Sequence, residues 1–326
     1  MILITGATGF IGSAFASVLN RKGRSDLILS DSFGEKDKWK NILGVDFVRF
    51  VDRNELFCFL ESDELAKKIT AVVHLGACAD TTQTDADYLF ANNVDFSIDL
   101  CEWSTKRGVR FVYASSAAVY GDGSMGFSDS DELTLKLRPL NAYGFSKWMF
   151  DMWVLKNRMV DKVAGMRFFN VFGPNEYHKG SMASVVFRAY PLAKAEGKVR
   201  LFESHRDDYS HGEQLRDFIY IDQVTDAILY LMDNGTANGI FNVGTGVAHT
   251  FNQLAQAILE GVGKKANIEY FPMPEEIRDR YQYYTQADMT RLYGIGFPKY
   301  EDKFQEYVEK YVSCYLMQGQ RYLSQV

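Results

Sequence analysis

The first twelve residues, MILITGATGFIG, constrain what this chain can fold into more than any other stretch. Ile2 to Thr5 make an apolar run of strand length. Gly6, Gly9 and Gly12 follow, and then a helical pattern to about Lys22. In the order strand, glycines, helix, each glycine has a physical reason to be there. One permits a tight turn, one the close approach of backbone to a phosphate, and one close helix–strand packing. The unpaired N–H groups and positive dipole end of the helix suit a pyrophosphate. The spacing is GxxGxxG rather than GxGxxG, and a turn with helix-packing glycines is the plain alternative. A second apolar run, LILSD, ends at Asp31, about twenty residues beyond the glycines. A carboxylate there can accept hydrogen bonds from the ribose of an adenine dinucleotide, or merely cap a turn.

Strand-like segments then alternate with helical ones: residues 47–51, 71–77, 110–116 and 162–172 as strands, 86–107 and 142–158 as helices. The strands are apolar without strict alternation, as expected when both faces are covered. Repeated βα units predict an α/β fold with a Rossmann-like, doubly wound parallel sheet, its ligand at the carboxyl ends of the strands. Gly6 to Gly12, Asp31, Gly76 to Cys78, Ser115, Ser116 and Asn170 fall at those ends. The second half is more broken. It contains a helix from about Ser181 to Ala195, a polar stretch at 203–216, a strand leading into a helix at 216–233, and a helix from about Thr250 to Glu260. The expected division is a dinucleotide-binding domain of residues 1–168, 217–247 and 282–298. A smaller, discontinuous α/β substrate-binding domain of 169–216, 248–281 and 299–326 completes it.

Composition removes several classes of function. With 326 residues, 47% of them hydrophobic, the chain can bury a large core. A net charge of −6 argues against a general nucleic-acid binder. Cys58, Cys78, Cys101 and Cys314 lack CxxC spacing and read as buried thiols of a reducing compartment; the five histidines lack metal-ligand spacing. A strand beginning at Ile2 leaves no room for a signal peptide, and no apolar run is long enough to span a bilayer.

The chemistry is carried by NAYGFSKWMF. Tyr143 and Lys147, four residues apart on a helix, share one face. At about 5 Å and an effective dielectric near 20, a lysine cation favours the phenolate by roughly 3 kcal/mol. That would draw the phenol from its ordinary pKa near 10 towards working pH, where it can act as a general acid or base. The spacing alone is common on helix surfaces. Ser116, at a strand end in YASSAAVYG, could hydrogen-bond a reacting substrate oxygen, though a serine there also serves as a cap. Together the three make a site for hydride chemistry. Tyr143 exchanges a proton with an alcohol, and Lys147 holds its charge and binds a nicotinamide ribose.

GATGFIG, the Ser116–Tyr143–Lys147 set, RFFNVFGP (167–174) and RDFIYIDQV (216–224) resemble the extended short-chain dehydrogenase/reductases that work on nucleotide sugars, the NAD-dependent epimerase/dehydratase family. HLGACADTT (74–82), ASSAAVYG (114–121), NAYGFSKWMFD (141–151), LFES (201–204), RYQYYTQADM (280–289) and above all HKGSMASV (178–185) resemble its ADP-heptose 6-epimerase group. The resemblance implies epimerisation of ADP-D-glycero-D-manno-heptose at carbon 6 through a transient ketone, serving lipopolysaccharide core synthesis. It further implies a cytoplasmic homo-oligomer, commonly a pentamer, with no nucleic-acid or membrane partner. A second acid/base maps to Lys179. The hydride returns to the opposite face of a ketone that has turned over, so one proton-transfer group cannot easily reach both oxygen positions. A phosphate-binding or solvated lysine is the plainer role for Lys179. Cofactor contacts map to Gly6, Gly9, Phe10, Ile11, Gly12, Asp31, Ser32, Lys38, Arg53, Leu75, Gly76, Ala77, Cys78, Ala79, Asn92, Lys147, Val171 and Lys179. Substrate contacts map to Asn170, Ser181, Arg188, Phe202, Glu203, Ser204, His205, Arg216 and Tyr281. Arg216 suits a diphosphate, or a surface salt bridge.

The chain departs from that pattern at three places: Arg188 stands where relatives carry histidine, Ser204–His205 where they carry glycine–serine, and the stretch before Arg216 is longer. That stretch reads as a solvated loop or a lid. Asp31 alone favours NAD, but Lys38 and Arg53 could neutralise a 2′-phosphate, and the resemblance implies NADP. The nearest rivals are a UDP-hexose 4-epimerase, against which HKGSMASV counts, and a non-catalytic dinucleotide sensor, which would need no Tyr–Lys pair. A 4,6-dehydratase would need Asp–Glu where Ala117 and Ala118 stand.

Overall fold

The computed structural model describes residues 1–34, 37–278 and 281–325. Residues 279, 280 and 326 of the expected substrate part, and with them the first residue of RYQYYTQADM, lie outside the described residues. Strands β1 (Ile2–Thr5), β2 (Leu27–Asp31), β3 (Arg49–Asp52), β4 (Ala71–His74), β5 (Arg110–Ser116) and β6 (Val163–Phe168) alternate with helices. These helices are α1 (Phe10–Arg21), α2 (Leu56–Ser62), α3 (Ala86–Phe90), α4 (Phe96–Lys106), α5 (Asp131–Thr134) and α6 (Ala142–Lys156). Beyond them come β7 (Asn170–Phe172), α7 (Val185–Glu196), β8 (Val199–Phe202), β9 (Leu215–Arg216), β10 (Phe218–Tyr220) and α8 (Ile221–Asp233). Strand β11 (Gly239–Val243), β12 (His249–Thr250), α9 (Phe251–Gly261) and β13 (Ile268–Phe271) follow.

Seven strands form one parallel sheet in the order β11-β6-β5-β4-β1-β2-β3. Alternate residues of β1 supply its two faces. Ile2 and Ile4 join Ala14 and Phe15 of α1 and Val224 and Ile228 of α8, whereas Leu3 joins Phe59, Leu100 and Phe150 from α2, α4 and α6. Each such side chain, fully buried, contributes roughly 1.5–3 kcal/mol, so helices on both sides explain the unalternated apolar strands. The order reverses at β1, between β2 and β4, and that crevice is where ligands of such sheets bind.

Several expected boundaries move for local reasons. The run 162–172 is two strands, because the chain leaves the main sheet at Phe169, and β7 pairs with β10 instead. The stretch 86–107 is interrupted by a π turn at Ala91–Asp95. The helix expected from Ser181 begins only at Val185, where the Ser184 hydroxyl accepts from Phe187 N–H at 3.3 Å; Tyr177–Met182 is instead a tight 3-10 segment with Gly180 at φ 58°. Small two-stranded pairings join β8 with β13 and β9 with β12. The cysteines are not uniformly buried: Cys101 is, Cys78 is half-buried, and Cys58 and Cys314 are exposed. Among the described residues no helix is long and apolar enough to cross a membrane, and no His/Cys/Asp/Glu group could hold a metal.

Candidate active site

The turn after β1 is shaped by contact with the end of β4. Gly6 has φ +64°, and a Cβ there would sit 2.6 Å from the Gly76 nitrogen; a Cβ on Gly12 would sit 2.2 Å from the Gly6 carbonyl oxygen. Only glycine fits either place. Helix α1 starts at Gly9 with no side-chain cap, so its first N–H groups stay open to an anion. This cradle opens on a cavity of about 420 Å³ lined by Gly6, Gly9, Phe10, Ile11, Gly12, Asp31, Ser32, Lys38, Arg53, the loop Leu75–Ala79, Asn92 and Lys179. A cavity with such a floor fits a dinucleotide.

At its rim the Asp31 carboxylate is already engaged. One oxygen accepts from Thr8 N–H (2.9 Å) and Thr8 hydroxyl (2.7 Å), the other from Ser32 N–H (2.8 Å) and the Lys38 ammonium (2.6 Å). Arg53 donates to the Asn92 side-chain oxygen and lies over the Phe96 ring. Asn93, beside Asn92 in the π turn, was not among the expected residues. Its amide accepts from Cys78 N–H (2.8 Å) and donates to Cys78 C=O and the Ser146 hydroxyl, both at 3.0 Å, and Ser146 donates to Tyr143 C=O at 2.7 Å. The β4 loop is thereby fastened to α6.

A second cavity, of about 440 Å³, adjoins the first through Phe10, Ile11 and Lys179. Ser116, Tyr143, Lys147, Lys179, Asn170, Val171 and Ser181 line it. The Asn141 side chain caps α6 by accepting from Gly144 N–H at 2.7 Å, which sets the helix bearing Tyr143 and Lys147. Tyr143 and Ser116 line this cavity together. Burial raises the phenol above its ordinary pKa, with the nearby Ser116 hydroxyl pulling the other way. The expected lowering by Lys147 is not what the structure shows. Lys147 donates to the Ala114 carbonyl at 2.9 Å, and its own burial, partly offset by Asp151, drops its ammonium to about 8. Desolvation is the largest influence on both groups. Lys179 sits 5.4 Å over the Phe10 ring centroid, and burial lowers its ammonium against the pull of Glu176.

Behind α6 lies a buried ion pair that the sequence hardly announces. Asp151 accepts from Tyr113 (3.0 Å), Ser115 (2.9 Å) and Arg167 (3.0 Å), and Arg167 also donates to Tyr120 and Thr134. Its one sequence signal is an acid four residues beyond Lys147 in a largely apolar helix.

The expected substrate residues are not all brought together. Asn170 and Ser181 line the inner cavity. Phe202, Tyr281 and Arg216 form a separate aromatic group: Phe202 packs against Tyr281 at 6.3 Å, and Arg216 lies 5.1 Å over that ring. The Arg216 guanidinium is buried and donates to the carbonyls of Leu215 (2.8 Å) and Gln282, so it is not a surface salt bridge. His205 is exposed and bonded to the Tyr283 hydroxyl at 2.7 Å, Ser204 donates to the Arg206 carbonyl at 2.8 Å, and Glu203 is half-buried with its N–H on Phe271 C=O. Arg188 is exposed on α7 and lines neither cavity.

Residues 2–244 match the model of the NAD dependent epimerase/dehydratase family. An ADP-L-glycero-D-manno-heptose-6-epimerase from Nitratidesulfovibrio vulgaris is 44% identical over 318 residues, covering 96% of this chain and 98% of the relative. The crystal structure of the Helicobacter pylori ADP-L-glycero-D-manno-heptose-6-epimerase superposes with a TM-score of 0.78 at 27% identity, covering 97% of this chain and 95% of that one. A Thermus thermophilus UDP-glucose 4-epimerase solved with NAD gives a TM-score of 0.74 at 25% identity, covering 95% of this chain and 97% of that one. The glycine cradle, the Ser–Tyr–Lys set at the sheet's crevice and this full-length likeness place the chain in the NAD-dependent epimerase/dehydratase family, among its ADP-L-glycero-D-manno-heptose-6-epimerases.

Proposed function

We propose that the chain interconverts ADP-D-glycero- and ADP-L-glycero-D-manno-heptose at carbon 6. The observation that carries this reading is that two separate proton-transfer groups, Tyr143 and Lys179, line one cavity that is continuous with the dinucleotide cleft. A bound nicotinamide would supply the acceptor, and then the donor, of the hydride at carbon 6. The chain's own part is the proton. Burial holds Tyr143 as a neutral phenol and favours the uncharged amine of Lys179, so the two environments divide the roles of acid and base. From one epimer, the Lys179 amine takes the hydroxyl proton as the carbon is oxidised. After the ketone turns over, Tyr143 gives its proton to the oxygen as the carbon is reduced, with Ser116 directing that hydroxyl. The reverse direction starts from the state the forward turn leaves, the Tyr143 phenolate taking the hydroxyl proton and the Lys179 ammonium returning one, and proton exchange with solvent interconverts the two states.

NADP is the proposed cofactor, because Lys38 neutralises Asp31 and stands with Arg53 at the rim where a 2′-phosphate would lie. A competition titration favouring NAD would reverse that choice. We further infer a cytoplasmic homo-oligomer, with sedimentation as its check. The activity is tested by NMR of ADP-heptose of one configuration in deuterated water. Loss of stereochemistry without deuterium at carbon 6 is expected; deuterium at that carbon, or no conversion, overturns the reading.

A further inference from the structure

Lys179 is carried by a short segment whose attachments are informative. Asn175, fully buried, holds a left-handed backbone at φ 78° although it is not glycine. Its side chain donates to the Ser13 hydroxyl of α1 at 2.9 Å and accepts from Leu323 N–H at 2.9 Å. Such a conformation persists only where the surroundings over-determine it. His178, immediately before Lys179, is held from the side of the glycine turn: the Asn41 amide donates to its Nδ1 at 3.1 Å. The same Asn41 amide nitrogen donates to the Thr8 carbonyl at 2.9 Å, while its buried side-chain oxygen has no partner. The amide therefore forgoes an acceptor bond to keep both protons on Thr8 and His178. Thr8 belongs to the glycine turn and fixes Asp31.

We propose that His178 is a positioning residue: through Asn41 and Thr8 it pins the Lys179 segment to the glycine turn of the cofactor cleft, so that the second proton-transfer group is registered to the dinucleotide rather than to the substrate-side elements. A neutral ring nitrogen with a free lone pair is what this bridge needs. Burial, with Lys38 and Lys179 near, holds His178 neutral by pushing it to about 4. The proposal rests on the reading of Lys179 as an acid/base.

Three variants test it: His178→Ala, His178→Gln, which keeps a donor and an acceptor, and Asn41→Ala, which cuts the bridge at its other end. In protein without added cofactor, hydrogen exchange across residues 177–182 should rise about tenfold in His178→Ala and Asn41→Ala, and stay near wild type in His178→Gln. With saturating cofactor, single-turnover reduction of the nicotinamide is followed from each epimer separately. His178→Ala and Asn41→Ala should slow it at least about tenfold from the epimer that Lys179 serves, and less than about twofold from the other. His178→Gln should restore it. Equal slowing from both epimers, or unchanged exchange, overturns the proposal. Lys179→Met, run alongside, separates the two ideas. If it slows neither half-reaction, the two-base reading itself fails; if it slows one while the His178 variants slow neither, only the pin fails.

Discussion

Lys147 is held in a place that costs the fold free energy, and replacing it exposes that cost. Its side chain is buried on α6 beneath β5, and desolvation drops its ammonium from 10.5 to about 8. That difference corresponds to about 3 kcal/mol of destabilisation whenever the lysine is charged in both folded and unfolded chains. The folded-state value is the lower one, so between about pH 8 and 10.5 the unfolded chain binds the extra proton, and wild-type stability rises with pH through that window. Lys147→Met, close in volume, removes the cost but leaves the Ala114 carbonyl without its 2.9 Å donor, a loss of about 1 kcal/mol. In protein without added cofactor the variant should therefore be more stable by about 2 kcal/mol below pH 8. The advantage should shrink above pH 8 and give way, by about pH 10.5, to a deficit approaching about 1 kcal/mol from the lost Ala114 bond. Urea unfolding of both proteins across this range measures it directly. A variant less stable than wild type at neutral pH, or an advantage that grows with pH, would refute the reasoning. Turnover should collapse in the same protein, as expected where a destabilised group is kept for chemistry.

The other expectations follow from the same geometry. Tyr143→Phe should lower turnover a hundredfold or more while leaving cofactor binding intact; steady-state rates near wild type would remove its role. Asp151→Asn leaves the fully buried Arg167 without its counter-charge and should cost about 3 kcal/mol, read from chemical denaturation; a loss under about 1 kcal/mol would mean the pair matters little. Gly6→Ala drives a methyl to 2.6 Å from the Gly76 nitrogen at a left-handed φ, and should weaken dinucleotide binding at least about tenfold by titration. Unchanged affinity would show that the turn can open without loss.

The frame of this protein was legible because its signals are local. Ile2–Thr5 is apolar on both faces, Gly6 and Gly12 stand where no side chain fits, and Asp31, Gly76 to Cys78, Ser115, Ser116 and Asn170, expected at strand ends, each line one of the two joined cavities. The 3.6-residue period could place Tyr143 and Lys147 on one face of a helix, but it could not say what else that face would meet. The Ala114 carbonyl and the Ser116 hydroxyl come from β5, and burial, which the period does not show, shifts both groups most. The π turn escaped for a related reason. One extra residue in a helical stretch leaves composition and period almost unchanged, yet it turns Asn92 and Asn93 together into the interior.

Arg216 marks the same limit from the opposite direction. Its residue type suits a diphosphate, but its guanidinium donates to the carbonyls of Leu215 and Gln282 and lies between the rings of Phe251 and Tyr281. Two carbonyls engage two of the five N–H donors of that guanidinium before any ligand arrives, and an anion would have to meet the remaining donors in a buried place. Residue type thus announces which chemistry a side chain can do, whereas its neighbours in space decide whether it is free to do it. For the proposed role of Lys179 the neighbours are what a test must probe: burial lowers its ammonium, it lines both cavities, and the segment that carries it is tied through His178 and Asn41 to the turn that would hold the cofactor.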